Sequence, residues 1–264
     1  MAAGFEMIAC ATAGIEAVLA DSARQFDRHS HDQFGIGVID RGAQHSASGR
    51  GPVEAGPGDA ITVNPGEVHD GVPIGDDGRR WRMLYFAPQL IEAAAQDIFP
   101  SCSGGFALTR PVIGDRRVAA LLHQLFAAET VAADPLAREQ GLVRLLAVSG
   151  GIVPGGAPSA SPEIGRARQR IEDDPGHPVS LSELAEVARM SRFQLLREFK
   201  QESGLTPHAY LIQRRVDLAR RLIRSGAGLA EAAVAAGFAD QSHMTRIFVR
   251  RYGLTPGAYA RALR

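Results

Sequence analysis

Gly204-Leu205-Thr206-Pro207-His208-Ala209-Tyr210 and Gly253-Leu254-Thr255-Pro256-Gly257-Ala258-Tyr259 are two copies of one stretch, G-L-T-P-x-A-Y, displaced by 49 positions. The match runs upstream at the same displacement, pairing Arg197 with Arg246, Phe199 with Phe248 and Leu195 with Met244. Further back the displacement falls to 48, pairing Leu181 with Leu229, Glu183 with Glu231 and Ala185 with Ala233. The second copy therefore carries one extra residue between its two helices. A repeat of this length is one supersecondary unit used twice.

The unit reads as helix, tight turn, helix. Ser180 is an N-cap, with Glu183 at the capping-box spacing and Leu181, Leu184, Ala185 and Ala188 on one face. Arg189-Met190 makes the turn, Ser191 caps the next helix, and Leu195, Leu196 and Phe199 recur at helical spacing up to Gly204, a good C-terminal glycine. The second copy repeats this with Leu229 to Ala236, the turn Gly237-Phe238, the cap Asp240, then Met244, Ile247 and Phe248 up to Gly253. The units span about 181–202 and 229–251. Two helices across a short turn are a helix-turn-helix. Pro207 opens a long helix between the copies, to about Ser225. At ~1.5 Å per residue it is ~27 Å long, close to the ~34 Å between successive major grooves on one face of DNA.

The second helix of each unit carries a set of side chains away from its inward residues. In the first these are Arg192, Phe193, Leu196 and Arg197; in the second, Gln241, Ser242, His243, Thr245 and Arg246. Arg suits the paired acceptors of guanine, Gln those of adenine, and Leu or Phe a thymine methyl. Lys200, Arg250 and Arg251 stand at the far ends, where phosphates would lie.

Charge separates along the chain in the same sense. Residues 1–158 hold 12 Arg against 18 Asp and Glu; residues 159–264 hold 17 Arg and Lys against 11. A basic half joined to an acidic half points to nucleic acid as a partner of the first. The stretch Gly150-Gly151-Ile152-Val153-Pro154-Gly155-Gly156-Ala157-Pro158-Ser159-Ala160-Ser161-Pro162 is almost entirely Gly, Pro, Ser and Ala, and residues 151–162 are expected to be a flexible linker. The expected domains are thus 1–150 and 163–264.

The overall composition, 45% apolar and 22% charged, is that of a globular protein. No apolar run reaches the roughly 18–20 residues of a membrane span, and Met1 to Cys10 lacks a secretion signal. The two cysteines, Cys10 and Cys102, suggest neither a disulfide framework nor a zinc site. The expected location is the cytoplasm.

The first half reads as short strands between turn signals: Phe34 to Ile39, Ala60 to Val63 and Arg82 to Phe86. Such spacing predicts a small antiparallel barrel or sandwich. Two amphipathic helices follow, one capped by Asp115 with Val118, Leu121, Leu122, Leu125 and Phe126, the other after Asp134-Pro135 with Leu142, Val143, Leu145 and Leu146. They could cover the barrel or pair with a second subunit.

Two resemblances follow. Pro57-Gly58-Asp59-Ala60-Ile61-Thr62-Val63-Asn64-Pro65-Gly66-Glu67-Val68-His69 resembles the second motif of a cupin, and His29-Ser30-His31 the start of the first. In metal-binding cupins, histidines and a glutamate converge inside the barrel. Here His29, His31 and His69 take the histidine positions, but Asp32, Gln33, Phe34, Gly35 and Ile36 follow where the glutamate is expected. Three imidazoles could hold Zn, Fe, Cu or Ni; with the carboxylate missing, no resident metal or cofactor is expected. A small-molecule effector pocket is expected instead, lined by His29, His31, Gly35, Glu67, His69, Trp81 and Tyr85, with core packing the alternative for the two aromatics.

Residues 163–264 resemble the DNA-binding domain of AraC/XylS-type transcriptional regulators. The match is carried by Ala232-Ala233, Gly237-Phe238, Asp240-Gln241-Ser242-His243-Met244, Arg246, Phe248, Tyr252-Gly253, Thr255-Pro256 and Tyr259. It implies base-contacting positions at Arg192, Phe193, Leu196 and Arg197 and at Gln241, Ser242, His243 and Arg246. Leu196 departs from a position that is frequently polar. The first half is similar to the cupin-like effector-binding and dimerisation domain of many members. Together the resemblances imply an α+β two-domain protein: a cupin-like β-barrel with helices, then an all-α domain with two helix-turn-helix units joined by a long helix. They imply a DNA-binding regulator that activates transcription, with double-stranded DNA, a small effector and RNA polymerase as partners, a possible homodimer, no membrane and no catalytic residues. A metal-dependent cupin enzyme fused to a DNA-binding domain is the competing reading.

Overall fold

The computed structural model describes residues 4–100, 104–131, 134–153 and 161–263. The chain divides into two compact units between Gly155 and Gly156.

Among the described residues, the first unit holds two large antiparallel sheets and one two-stranded ribbon. The larger has six strands in the order β1 (Gly4–Ile8), β2 (Ile15–Ser22), β9 (Arg79–Phe86), β4 (Phe34–Arg41), β7 (Ala60–Val63) and β11 (Val112–Ile113). The smaller has four, in the order β3 (Phe26–His29), β8 (His69–Ile74), β5 (Ala43–Ser48) and β6 (Gly51–Ala55). Strand β4 is buried on both faces, which is why Phe34 to Ile39 reads as a continuous apolar run. One face of the larger sheet meets the smaller, and Ala20, Ile39, Trp81 and Met83 pack there with Ala55 and Phe26.

The other face carries Phe34, Ile36, Val38, Leu84 and Phe86. It is covered by helices α1 (Pro88–Ile98), α2 (Arg116–Thr130) and α3 (Pro135–Ser149), which contribute Ile91, Leu122, Leu125, Leu145 and Leu146. The paired helices expected from the sequence therefore serve the barrel. Asp115 caps α2 through the Arg117 amide and Asp134 caps α3 through the Leu136 amide.

The expected linker is shorter at its start than its composition implies. Gly151–Val153 forms strand β12, paired antiparallel with β10 (Gly105–Ala107). Gly150 permits this, because a Cβ there would strike the Phe106 ring. At its end, Ser161 already caps α4 (Pro162–Asp173) by accepting from the Ile164 amide. Residues 154–160 of the linker, and Cys102, lie outside the described residues.

The second unit is helical throughout: α4, α5 (Leu181–Ala188), α6 (Arg192–Ser203), α7 (Pro207–Arg224), α8 (Leu229–Ala235), α9 (Gln241–Tyr252) and α10 (Pro256–Ala262). Ser191 closes a full capping box with Gln194, and Asp240 caps α9 through the His243 amide. Gly204 and Gly253 end α6 and α9 in the left-handed region, at φ 74° and 76°. Thr206 and Thr255 then cap the helices that follow.

The turns inside the two units are equivalent in hydrogen bonding. Met190 donates to Ala185 O at 2.9 Å, and Phe238 donates to Ala233 O at 3.0 Å. Both turns use a positive φ, but Gly237 supplies it in one and Arg189, at 54°, in the other. The residue added in the second copy is Ala239, between this turn and the Asp240 cap.

Helix α7 contacts α4, α6, α8, α9 and α10. Its buried face is partly polar. Asp217, 2% exposed, accepts from Gln213 Nε2 at 3.1 Å and from the Tyr252 hydroxyl at 3.1 Å, and pairs with Arg214 at 3.1 Å. Arg220 stacks on Tyr252 at 4.7 Å and on Tyr259 at 5.3 Å. Arg215 donates to Pro175 O at 2.9 Å.

Candidate nucleic-acid interface and ligand site

Helices α6 and α9 each have one buried stripe and one open face. Leu195 and Phe199 in α6, and Met244 and Phe248 in α9, are fully buried. Arg192, Phe193, Leu196, Arg197 and Lys200 are exposed along α6, as are Gln241, Ser242, Arg246 and Arg250 along α9. Thr245 and Arg251 are half-buried. Each open face lies on the second helix of a helix-turn-helix, the element that enters a major groove in such units. Arg197 pairs with Glu198 at 3.2 Å on the surface, an exchangeable contact.

His243 is placed differently from its neighbours. Its ring packs edge-on against Phe238 at 5.4 Å and is half-buried. It stands at the third position of α9, directly over the turn, so its ring braces the turn.

In the first unit, four rings meet between the sheets. His29 and His69 lie 4.4 Å apart by ring centroids, His31 and His69 5.1 Å, and His31 and Tyr85 5.1 Å. His29 ends β3 and is paired in register with His69 at the start of β8. Gly35 faces Tyr85 across β4 and β9, and a Cβ on it would press the Tyr85 ring at 3.2 Å.

Each imidazole is oriented by the main chain. Nδ1 of His29 lies 2.7 Å from Asp27 O, that of His31 3.0 Å from Gln33 O, and that of His69 3.0 Å from Glu67 O. A carbonyl oxygen only accepts, so each Nδ1 donates its proton to the main chain. Burial holds the His69 pKa below its ordinary value despite the opposing bond to Glu67.

Two residues expected beside these rings have other work. The Glu67 carboxylate accepts from Arg50 Nε at 2.8 Å, from the Asn64 amide at 3.1 Å and from Asn64 Nδ2 at 3.0 Å. Burial would raise its pKa, but the bond and charge of Arg50 outweigh this and hold it low. Glu67 thus locks the Asn64-Pro65-Gly66 turn. Trp81 is 7% exposed and packs on Phe5 at 5.6 Å and under the Arg79 guanidinium at 4.4 Å. It is core. Arg79, 1% exposed, donates to Gln44 Oε1 at 2.8 Å, and burial lowers its pKa to about 10.

A family model described as the AraC-like ligand binding domain matches residues 12–146, and one described as a helix-turn-helix domain matches residues 184–262. The chain belongs to the AraC family of transcriptional regulators. It is a DNA-binding regulator with a ligand-binding domain.

AraC-type relatives match it in two ways. The uncharacterized HTH-type transcriptional regulator YbfI of Bacillus subtilis is 29% identical over 228 residues, covering 84% of this chain and 82% of that one. The RCS-specific transcriptional activator RclR of Escherichia coli is 34% identical over 104 residues, covering only 39% of this chain and 37% of that one. Among solved structures, unsaturated fatty acid-bound ToxT of Vibrio cholerae aligns with a TM-score of 0.57 at 12% identity, covering 93% of this chain and 94% of that one. At that identity the likeness is one of fold.

The metal implied by the cupin resemblance does not fit these residues. Among the described residues, no group of three or more His, Cys, Asp or Glu side chains is set to hold a metal ion. The glutamate that stands nearest in sequence, Glu67, is held by Arg50 and Asn64. Among the described residues, no helix is long and apolar enough to cross a membrane.

Sequence reasoning did not reach the arginine–tyrosine contacts of α7 or the Arg50–Glu67–Asn64 clamp. For the clamp a signal existed: an Asn-Pro-Gly-Glu turn places an acid where it can return to the turn's own amide.

Proposed function

We propose that this AraC-family regulator activates transcription by setting α6 and α9 into two successive major grooves. Arg192, Arg197, Gln241, Ser242 and Arg246 would meet base edges, and Lys200, Arg250 and Arg251 phosphates. The observation that carries this reading is the pair of equivalent helices, each N-capped by a side chain and ended by a left-handed glycine, each with one open face, joined through α7. Activation is supported by relatives named as activators, RclR among them. RNA polymerase is then the protein partner, the cytoplasm the location, and no step of catalysis is needed.

The effector is a small polar molecule seated against His29, His31, His69 and Tyr85. The support for this seat is the meeting of four polar rings in the domain matched by the ligand-binding model. Val148, 43% exposed on α3, borders a groove of about 540 Å³ between α2 and α3 and supports a homodimer through that face. Hydroxyl-radical footprinting of the full chain on its own upstream DNA tests the DNA reading. Two protected patches one helical turn apart on one face are expected; a single patch would overturn it.

A further inference from the structure

Helix α6 carries a patch that α9 lacks. Phe193 is 74% exposed and Leu196 39% exposed. Three residues apart on one helix, their side chains adjoin on one face, outside the buried stripe of Leu195 and Phe199. The capping box of Ser191 and Gln194 fixes the turn that presents Phe193. Arg192 and Arg197 flank the pair. At the equivalent places 49 residues on, α9 has Ser242 and Thr245. An aromatic and aliphatic pair in one recognition helix is thus matched by two hydroxyls in the other.

An exposed Phe and Leu cannot hydrogen-bond a base edge. What the major groove offers such a pair is the C5 methyl of thymine. We infer that α6 selects its half of the operator by the methyl groups of thymine, buried against Phe193 and Leu196, while α9 selects its half by hydrogen bonds. The inference rests on the DNA-binding reading above and deepens it: the two half-sites differ in how they are read. Leu196, the departure from the family pattern, is then the residue that sets this chain's preference. Removing a methyl that is buried in the complex weakens binding about four-fold.

The test uses the full chain and duplexes that it selects from a random-sequence pool. Each thymine of the selected duplex is replaced in turn by deoxyuridine, which removes only the methyl. An approximately four-fold loss is expected at one or two thymines, all in one half of the site. Phe193→Ala and Leu196→Ala should erase the difference between thymine and uracil at those positions. Ser242→Ala and Thr245→Ala should leave it unchanged. Leu196→Gln should shift the preference at one of those positions toward adenine. All four side chains are exposed or half-buried, and circular dichroism would verify that each variant is folded. A preferred duplex bound equally well with uracil throughout would overturn this inference alone. So would a methyl effect that survives the double variant of Phe193 and Leu196. A pool yielding no preferred sequence would overturn the DNA reading and this inference together.

Discussion

Phe199 packs against Tyr210 with ring centroids 5.5 Å apart, and 49 residues later Phe248 packs against Tyr259 at 5.7 Å. In each pair a recognition helix is anchored to the helix that the repeated Thr-Pro opens. Arginines of α7 lie over both tyrosines, Arg214 on Tyr210 at 5.1 Å and Arg220 on Tyr259 at 5.3 Å. The repeated stretch therefore anchors α6 and α9 to the helices that follow them. Truncating either phenylalanine to alanine should cost about 3–5 kcal/mol. Urea unfolding followed by circular dichroism would measure it, and a loss below about 1 kcal/mol would contradict the anchoring role.

The two turns make opposite predictions. Gly237 has a φ of 80°, and a Cβ there would come 2.5 Å from Gly176 O and 2.9 Å from Arg215 Nε. Gly237→Ala should destabilise by about 2 kcal/mol or more, from strain and clash together. Arg189 holds the same left-handed region with a full side chain on the surface. Arg189→Gly should raise stability, by about 1 kcal/mol at most. A thermal melt of both variants decides it: equal shifts of the same sign would count against this account of the turns.

On DNA, exposed residues separate by role. Arg246→Ala should weaken binding to the selected site by about 1–3 kcal/mol and flatten preference at one base position. Arg250→Ala should weaken all sequences alike and lower the slope of log K against log salt by about 1. Titrations at several salt concentrations on specific and scrambled duplexes check both. An unchanged sequence profile for Arg246→Ala would remove its base role.

His69 and Glu67 make the first unit sensitive to acid. The folded pKa of His69 lies below its unfolded value near 6.5, owing to burial. The unfolded chain takes up this proton first, so the stabilisation is complete above about pH 6.5 and is lost as pH falls below it. Glu67 adds a lower limb. Its folded pKa lies below 4.5, because Arg50 outweighs the effect of burial. Its contribution is present above that value and is lost as pH falls through the lowered one. Urea midpoints between pH 7.5 and 4 should fall, and His69→Gln should flatten the upper part of the curve. A wild-type midpoint that rises on acidification would refute the sign.

How much of this was legible in the sequence depends on range. Helix ends of the second unit were readable because Ser191, Asp240, Gly204 and Gly253 act on amides and carbonyls a few residues away. The left-handed Arg189 was readable only as a turn, since no residue type marks it. Strands β1 and β2 were missed: their burial comes from pairing with each other and with the distant β9. Gly151–Val153 was read as linker because glycine is common to linkers and to places where a ring approaches the backbone. His29, His31 and His69 were identifiable as a set, but the fate of Glu67 depended on Arg50, whose chain position gives no hint of it. Asp217 and Arg220 are buried, because α7 is enclosed by both helix-turn-helix units, and nothing local in the sequence marks this.

Helix α7 belongs to both copies at once: it closes the first helix-turn-helix and bears the second. A shared element of this kind works as a ruler. With α6 and α9 in successive grooves, as proposed above, a promoter that gains or loses one base pair between the half-sites would turn one of them about a tenth of a revolution out of reach. Point changes inside either half adjust affinity by degrees, whereas changes of spacing act as all-or-none. Operators recognised by this chain should therefore vary in letters and hold constant in length.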